Sequence, residues 1–384
     1  MVEEVIEKLS YTYSRSADDL IGIQPHVEDL DRLLRLRSKD DGFRVLGIWG
    51  MDGIGKTTLA TILYDKISYQ FGACCFIENV SKIYEDGGAV AVQKQILCRT
   101  IKEKNIDMYS PPNISKIMRN RLSKIKLLVV LDNVEQLEQV EELDIKPKFL
   151  HSGSRIIIIS RDKHILETYG ADEVFEAKLM NDEDAMKLLS RKAFNSDFGS
   201  SDFAELIPKV LKYAHRLPLA VKVLGSFLIS RNANQWLSTL DKFEKNPPNK
   251  IMKVLNVSYE GLEQDEKEVF LHVACFFNGE RKDYVNLILD ACGLNPGINI
   301  PLLAEKSLIT FRNEKIHMHE MVHKLGKQIV QEQHPNEPKL WSRMWLYRDF
   351  HHAMITNSVI YIHLNRFYLF LHFHFLLFLN KFLR

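Results

Sequence analysis

Hydrophobic and polar positions follow two different rhythms along this chain, and the change falls near residue 180. Before it, short apolar runs recur at Val45–Trp49, Ala73–Ile77, Leu127–Leu131, Ile156–Ser160 and Val174–Ala177. Such runs predict strands buried on both faces of a parallel sheet. Between them, Leu59, Ile62, Leu63, Ile67 and Phe71 fall at helical spacing. The alternation predicts a doubly wound α/β domain. After about 180 the strand signal fades. Asp182, Glu183 and Asp184 suit the positive end of a helix that turns Ala185, Leu188 and Leu189 inward. Helical patterns run to about 245, where Asn246-Pro247-Pro248-Asn249 breaks the chain, and resume from 250 to 330. Inside that second stretch, Leu308–Phe311 and Ile316–Met318 flank Arg312-Asn313-Glu314-Lys315, a hairpin-like turn ahead of a last helix, His319–Gln331.

Composition narrows the classes. The chain has 384 residues, 46% hydrophobic and 26% charged, which is ordinary globular usage and excludes a disordered or collagen-like chain. Lys plus Arg is 51 and Asp plus Glu is 50, so no global field draws it to nucleic acid or an anionic membrane. Cys74, Cys75, Cys98, Cys275 and Cys292 match no metal or disulfide spacing and read as reduced thiols of an intracellular protein. Residues 1–18 are polar and lack the apolar core of a signal peptide. Residues 354–384 are crowded with Phe, Leu, Ile and His. Their stretch Phe367–Leu379 is interrupted by His372 and His374 and falls short of the ~20 residues of a spanning helix, so no membrane is expected as a partner. An apolar, non-homologous extension is the expectation there.

The first strand runs directly into Gly50-Met51-Asp52-Gly53-Ile54-Gly55-Lys56-Thr57-Thr58. This is G-x-x-x-x-G-K-[ST] between a strand and an amphipathic helix, the context in which the motif holds phosphate. Gly50, Gly53 and Gly55 let the backbone wrap closely around phosphate, with N–H groups turned inward. The helix N-terminus at Lys56–Thr58 adds positive potential. Lys56 is expected on the β- and γ-phosphates and the Thr57 hydroxyl on Mg²⁺. Leu127–Leu131 ends in Asp132, a carboxylate at the C-terminal tip of a strand, which faces the ligand crevice and is the expected Mg²⁺ partner. Lys56 and Asp132 are thus the candidate catalytic pair and Thr57 and Asp132 the candidate metal pair. Asn133 follows, and an amide accepts no proton as a carboxylate does.

These motifs, with others in order, resemble the NB-ARC region of plant disease-resistance proteins in the subclass that carries an N-terminal TIR domain. The further matches are Gly153–Asp162, Leu217-Pro218-Leu219-Ala220, Phe270–Phe277 and Met318-His319-Glu320. Phe270–Phe277, and Glu135 where other subclasses carry Trp, point to the TIR class. The resemblance covers about residues 18 to 350.

It implies an α/β P-loop NTPase fold with a parallel doubly wound sheet, then a helical subdomain and a winged-helix subdomain. The implied boundaries are a linker remnant at 1–18, a nucleotide-binding α/β domain at 19–178, a helical subdomain at 179–248, a winged helix at 249–335 and an extension at 336–384. The implied cofactors are ADP or ATP with Mg²⁺. Ile21-Gly22-Ile23 is implied to cover the adenine, Arg161 to detect the γ-phosphate, Pro218 to pack near the base and His319 to contact the β-phosphate of ADP. Three positions depart from the family pattern: Glu320 for Asp, Arg216 for Gly, and Asn133 for a second acid. With Asn133, hydrolysis of ATP to ADP is expected to be slow at most.

The function so implied is an ADP/ATP-operated switch of a plant intracellular immune receptor in the cytoplasm, with the nucleus as an alternative. Its partners would be TIR- or LRR-containing receptors, or further copies of itself. No TIR domain is seen before residue 18 and no leucine-rich repeat after the winged helix, so a truncated, non-signalling fragment is one alternative. A winged-helix DNA-binding ATPase regulator is another, but the last helix offers only Lys324 and Lys327 as fixed cations, and direct nucleic-acid binding is not expected. A metabolic kinase would need a substrate pocket and a positioned base, and no such constellation is seen.

Overall fold

The computed structural model describes residues 20–34, 42–101, 111–194, 203–335, 337 and 340–345. The lead-in at 1–18 and the apolar segment at 354–384 lie outside them. Two compact units divide the chain, residues 1–254 and 255–384.

The first unit opens with helix α1 (Gln24–Leu33), whose Val27 and Leu30 are buried. A five-stranded sheet follows, formed by β1 (Arg44–Trp49), β2 (Ala73–Ile77), β3 (Leu127–Val134), β4 (Arg155–Ser160) and β5 (Glu173–Glu176). All the pairings are parallel, and the spatial order is β2-β3-β4-β1-β5. Every residue of Arg155–Ser160 is buried, as an apolar run in a central strand requires. The connecting helices are α2 (Lys56–Ile67), α3 (Val80–Ile101, broken by non-helical backbone at Gly87 and Gly88), α4 (Pro111–Leu122) and α5 (Lys163–Tyr169). The five runs seen in the sequence are the five strands, and the parallel α/β architecture expected from them is the one observed.

The order of strands matters for the site. β4 lies between β1 and β3, so their three carboxyl ends open side by side. In α/β sheets that edge is where ligands bind.

Beyond β5 the unit is helical: α6 (Asp182–Phe194), α7 (Ile207–Ala214), α8 (Pro218–Leu228) and α9 (Ala233–Lys245). The acidic first turn of α6 and its buried Ala185, Leu188 and Leu189 are as the pattern predicts. Trp236 is fully buried, stacked on Phe194 at 5.3 Å, and its indole N–H donates to the Leu228 carbonyl. The Pro-Pro break separates α9 from α10 (Asn249–Glu260).

The second unit contains α11 (Gln264–His272), a π-helical turn at Val273–Phe277, α12 (Lys282–Ala291), α13 (Pro296–Glu305), strands β6 (Thr310–Arg312) and β7 (Lys315–His317), and α14 (Glu320–Gln333). The hairpin is shifted and tighter than the sequence suggested. Only Asn313 and Glu314 turn, both with positive φ, and Leu308 and Ile309 drop into the core instead of pairing. The two-residue turn with left-handed φ matches the twist of an antiparallel pair. Gly326 of α14 lies so close to Ala274 that an added β-carbon would sit 2.4 Å from its methyl. After α14 the chain folds back on this unit. Arg343 is buried and donates to Glu268 Oε2 at 2.6 Å and to the Glu268 carbonyl at 3.3 Å. Trp341 and Trp345 stack at 5.3 Å. Among the described residues no helix is long and apolar enough to cross a membrane.

Candidate phosphate-binding site

The loop Gly50–Gly55 joins β1 to α2, and its glycines occupy backbone that other residues resist. Gly50, Gly53 and Gly55 have φ of +148, +78 and +102°. Gly53 also allows a close approach: a β-carbon there would sit 2.8 Å from that of Leu219, whose N–H donates to the Gly53 carbonyl at 3.1 Å. The segment Leu217–Ala220 of the helical part is therefore bonded to the loop itself. Pro218 takes the first turn of α8, where its missing N–H has no helical partner to lose.

Lys56 opens α2 and points back under the loop. Its Nζ donates to the carbonyls of Gly50 at 2.6 Å and Met51 at 3.0 Å and lies 3.8 Å from Asp52. Burial lowers its ammonium to about 8; Asp52 opposes that shift and Arg161 adds to it. The Thr57 hydroxyl donates to Asp132 across the gap between α2 and β3, at 3.0 Å to Oδ2. Burial raises the Asp132 carboxyl, while the Thr57 and Asn133 hydrogen bonds pull it back. A hydroxyl and a carboxylate facing each other are hard oxygen donors of the kind that suit Mg²⁺. Thr58 stands half-buried one residue on in α2.

Arg161 leaves the tip of β4 between the two. The Trp49 indole N–H donates to its carbonyl at 3.1 Å, and Asp162 caps α5 through the His164 N–H. Its guanidinium is paired on both sides, with Asp52 at 3.2 Å and with Glu135. Sequence reasoning missed Asp52, an unspecified position of the motif, and took Glu135 only as a marker of subclass. Asn133 supplies a signal for the second. It adopts φ +58° in a bulge between Leu131 and Val134, and asparagine tolerates that conformation better than most residues. The bulge re-aims the chain so that Glu135 faces Arg161.

Ile21-Gly22-Ile23 precedes α1. Ile21 is buried, and Gly22, at φ +71°, abuts Asp184 so closely that a β-carbon would lie 2.2 Å from its carboxylate oxygen. The segment thus packs on the first turn of α6. Arg216, the departure from Gly, has φ +60°, beside His215 at +46°.

The first unit brings together Gly50, Gly53, Gly55, Lys56, Thr57, Asp132 and Arg161, with Pro218 one residue from the bond to the loop. His319 belongs to the second unit. There it caps α14, its Nδ1 accepting the Met321 N–H at 3.2 Å. In the neutral ring the proton is then on Nε2.

Comparison with known proteins places these features. The NB-ARC domain model matches residues 26–199, and the model described as disease resistance protein Roq1-like, winged-helix domain, matches residues 263–334. The disease resistance protein RUN1 of Vitis rotundifolia is 36% identical over 355 residues, covering 92% of this chain and 26% of that protein. The TMV resistance protein N of Nicotiana glutinosa is 32% identical over 366 residues, 93% of this chain and 31% of that protein. RPP5 of Arabidopsis thaliana is 34% identical over 364 residues, 93% and 24% respectively. The chain spans about a quarter to a third of the length of these relatives. Among solved structures, a Walker-type ATPase of Pyrococcus abyssi shares the fold with a TM-score of 0.53 at 12% identity, over 77% of this chain and 95% of that one. The ORC2 protein of Aeropyrum pernix, solved as ADPNP-ADP complexes, gives 0.51 at 12% identity, over 80% and 94%.

Proposed function

Residues 26–199 belong to the NB-ARC domain family and residues 263–334 to the Roq1-like winged-helix family of disease resistance proteins, a pairing that carries nucleotide binding with it, and we propose that this region is the ADP/ATP-operated switch of a plant immune receptor of the TIR class. The observation that carries the proposal is the loop's attachments. The backbone that would cradle phosphate is bonded to Leu219 of the helical part and, through Asp52, to Arg161 at the tip of β4. A ligand seated there contacts a structure that its phosphates can rearrange, and a switch needs such differential contacts.

In this reading the loop N–H groups and the α2 N-terminus hold the β-phosphate, and Lys56 neutralises it. Thr57 and Asp132 would hold Mg²⁺, which supplies charge neutralisation between phosphates. Arg161 reads the terminal phosphate, Ile21–Ile23 and Pro218 border the base, and His319 Nε2 is the nitrogen with the chemistry to donate to a phosphate oxygen. Asn133 offers no carboxylate to take a proton from water, so hydrolysis is at most slow and resets the switch. The partners are receptors of the same class or further copies of this chain, and the site of action is the cytoplasm or nucleus. The DNA-binding alternative finds little support. Burial lowers the ammonium of Lys327, which lies over the Trp345 ring at 5.6 Å rather than in the open.

The test is the nucleotide that accompanies the purified protein. Released by acid and resolved by ion-exchange chromatography, ADP should be recovered near one per chain from the native protein and be lost from Lys56→Ala. Recovery of no nucleotide, or equal recovery from both, refutes the proposal.

A further inference from the structure

Glu135 is held too firmly to be a chance surface partner of Arg161. One carboxylate oxygen accepts the Asn133 side-chain N–H at 3.0 Å as well as the guanidinium. The other accepts the Ser81 hydroxyl at 3.3 Å. Its backbone N–H donates to Gln139 Oε1 at 2.9 Å, and Gln139, itself buried, reaches back to Ser81. The carboxylate is fixed by three side chains and a β-bulge, and Arg161, with its side chain 13% exposed, is fixed by Glu135 and Asp52.

We propose that Glu135 sets the site's preference for a nucleoside diphosphate over a triphosphate by occupying the Arg161 guanidinium that a γ-phosphate would use. The proposal deepens the switch reading and rests on it. A guanidinium has two faces of N–H groups, and here Asp52 takes one amino group and Glu135 the other. A diphosphate ends at the loop and leaves this clamp in place. A triphosphate must either share Arg161 with a carboxylate held against it or expel that carboxylate from its bonds to Asn133 and Ser81. Like charges in a partly buried site repel strongly, because water screens them less there. The acid is therefore a specificity-determining residue, and Asn133 and Ser81 are positioning residues that hold it in place.

The experiment measures ADP and ATP affinities, with Mg²⁺ present, for the full chain and its Glu135→Gln and Arg161→Ala variants. Glutamine keeps the length and the hydrogen-bonding capacity toward Ser81 while removing the charge, so a merely structural role would leave the ratio of the two affinities where it was. The expected result is a shift of that ratio toward ATP by about tenfold in Glu135→Gln, corresponding to 1.4 kcal/mol. That shift should vanish when Arg161→Ala is added. If Arg161→Ala weakens ATP selectively but Glu135→Gln leaves the ratio unchanged, the inference fails while the switch reading stands. If Arg161→Ala changes neither affinity, the reading of the site has failed with it.

Discussion

Raising the pH should weaken nucleotide binding while stabilising the free protein, and both effects should pass through Lys56. In the free protein burial lowers this ammonium to about 8, against 10.5 for an exposed lysine. A phosphate beside it favours the charged form, so in the complex the proton is held to higher pH. The ammonium is about three-quarters protonated at pH 7.5 and about one-tenth at pH 9, so binding at pH 9 must first take up a proton. ADP affinity should therefore fall roughly tenfold between those two values, until the complex itself begins to lose its proton. Stability moves the other way. Between about pH 8 and 10.5 the unfolded chain binds the proton that the folded chain has released, so stability rises with pH across that window. The full difference of some 2.5 units corresponds to about 3 kcal/mol.

Equilibrium dialysis of ADP at pH 7.5 and 9 measures the first effect, and thermal unfolding of nucleotide-free protein measures the second. The Lys56→Ala variant isolates the lysine, because every other titrating group is shared. It should lose at least tenfold in ADP affinity at pH 7.5, worth about 1.4 kcal/mol, and most of its pH dependence. If the native protein and the variant show the same fall from pH 7.5 to 9, Lys56 is not the group that titrates against the phosphate.

Three further outcomes follow from particular contacts. Gly53→Ala should weaken ADP binding and lower the unfolding temperature of the first unit, because its new methyl meets Leu219 in a backbone conformation alanine resists; unchanged affinity and stability would show that the loop and α8 are not in contact. Arg216→Gly should raise stability by up to about 1 kcal/mol in denaturant unfolding, because glycine adopts φ +60° without the clash an arginine β-carbon makes, and a loss would mean the Arg216 side chain matters more than its backbone. Arg343→Ala should destabilise the second unit by about 3 kcal/mol, read from the fluorescence of Trp341 and Trp345, because it leaves Glu268 without its buried partner, and a shift under 1 kcal/mol would reduce the pair to a surface contact.

The sheet was legible because its central strands β1, β3 and β4 are largely runs of consecutive apolar residues, the pattern of strands buried on both faces, while the edge strand β5 shows only Val174 and Phe175 between two acids. The phosphate loop was legible because its chemistry is local, with eight consecutive residues carrying glycines, lysine and hydroxyl together. What lay hidden was contact between distant positions. Asp52 sits at a position the motif leaves open, and Glu135 lies 26 residues from Arg161 in sequence, so nothing local couples them. The bond from Leu219 to Gly53 is a backbone bond, to which side-chain identity gives no clue. The hairpin was displaced for a related reason. Leu308 and Ile309 read as strand residues because they are apolar, but they are apolar to fill the core beside α13, and the pairing begins only at Thr310.

The loop's attachments differ in kind, and that difference bears on how a ligand could be read. The bond from Leu219 to Gly53 joins two backbones, so the Gly53 peptide cannot rotate to meet a phosphate without its carbonyl losing the Leu219 N–H donor or carrying the start of α8 with it. The link from Arg161 to Asp52 joins two charged side chains, which exchange partners without moving any strand. A nucleotide engaging the first alters backbone geometry, and one engaging the second alters only which anion the guanidinium faces. Diphosphate and triphosphate share the groups that reach the first attachment and differ in the group that would reach the second. On the proposed reading, discrimination between them belongs with the side-chain pair, where the cost of exchange is set by Asp52 and Glu135, and retention of either nucleotide belongs with the backbone and Lys56. Carried by different atoms, the two properties would be separable by mutation.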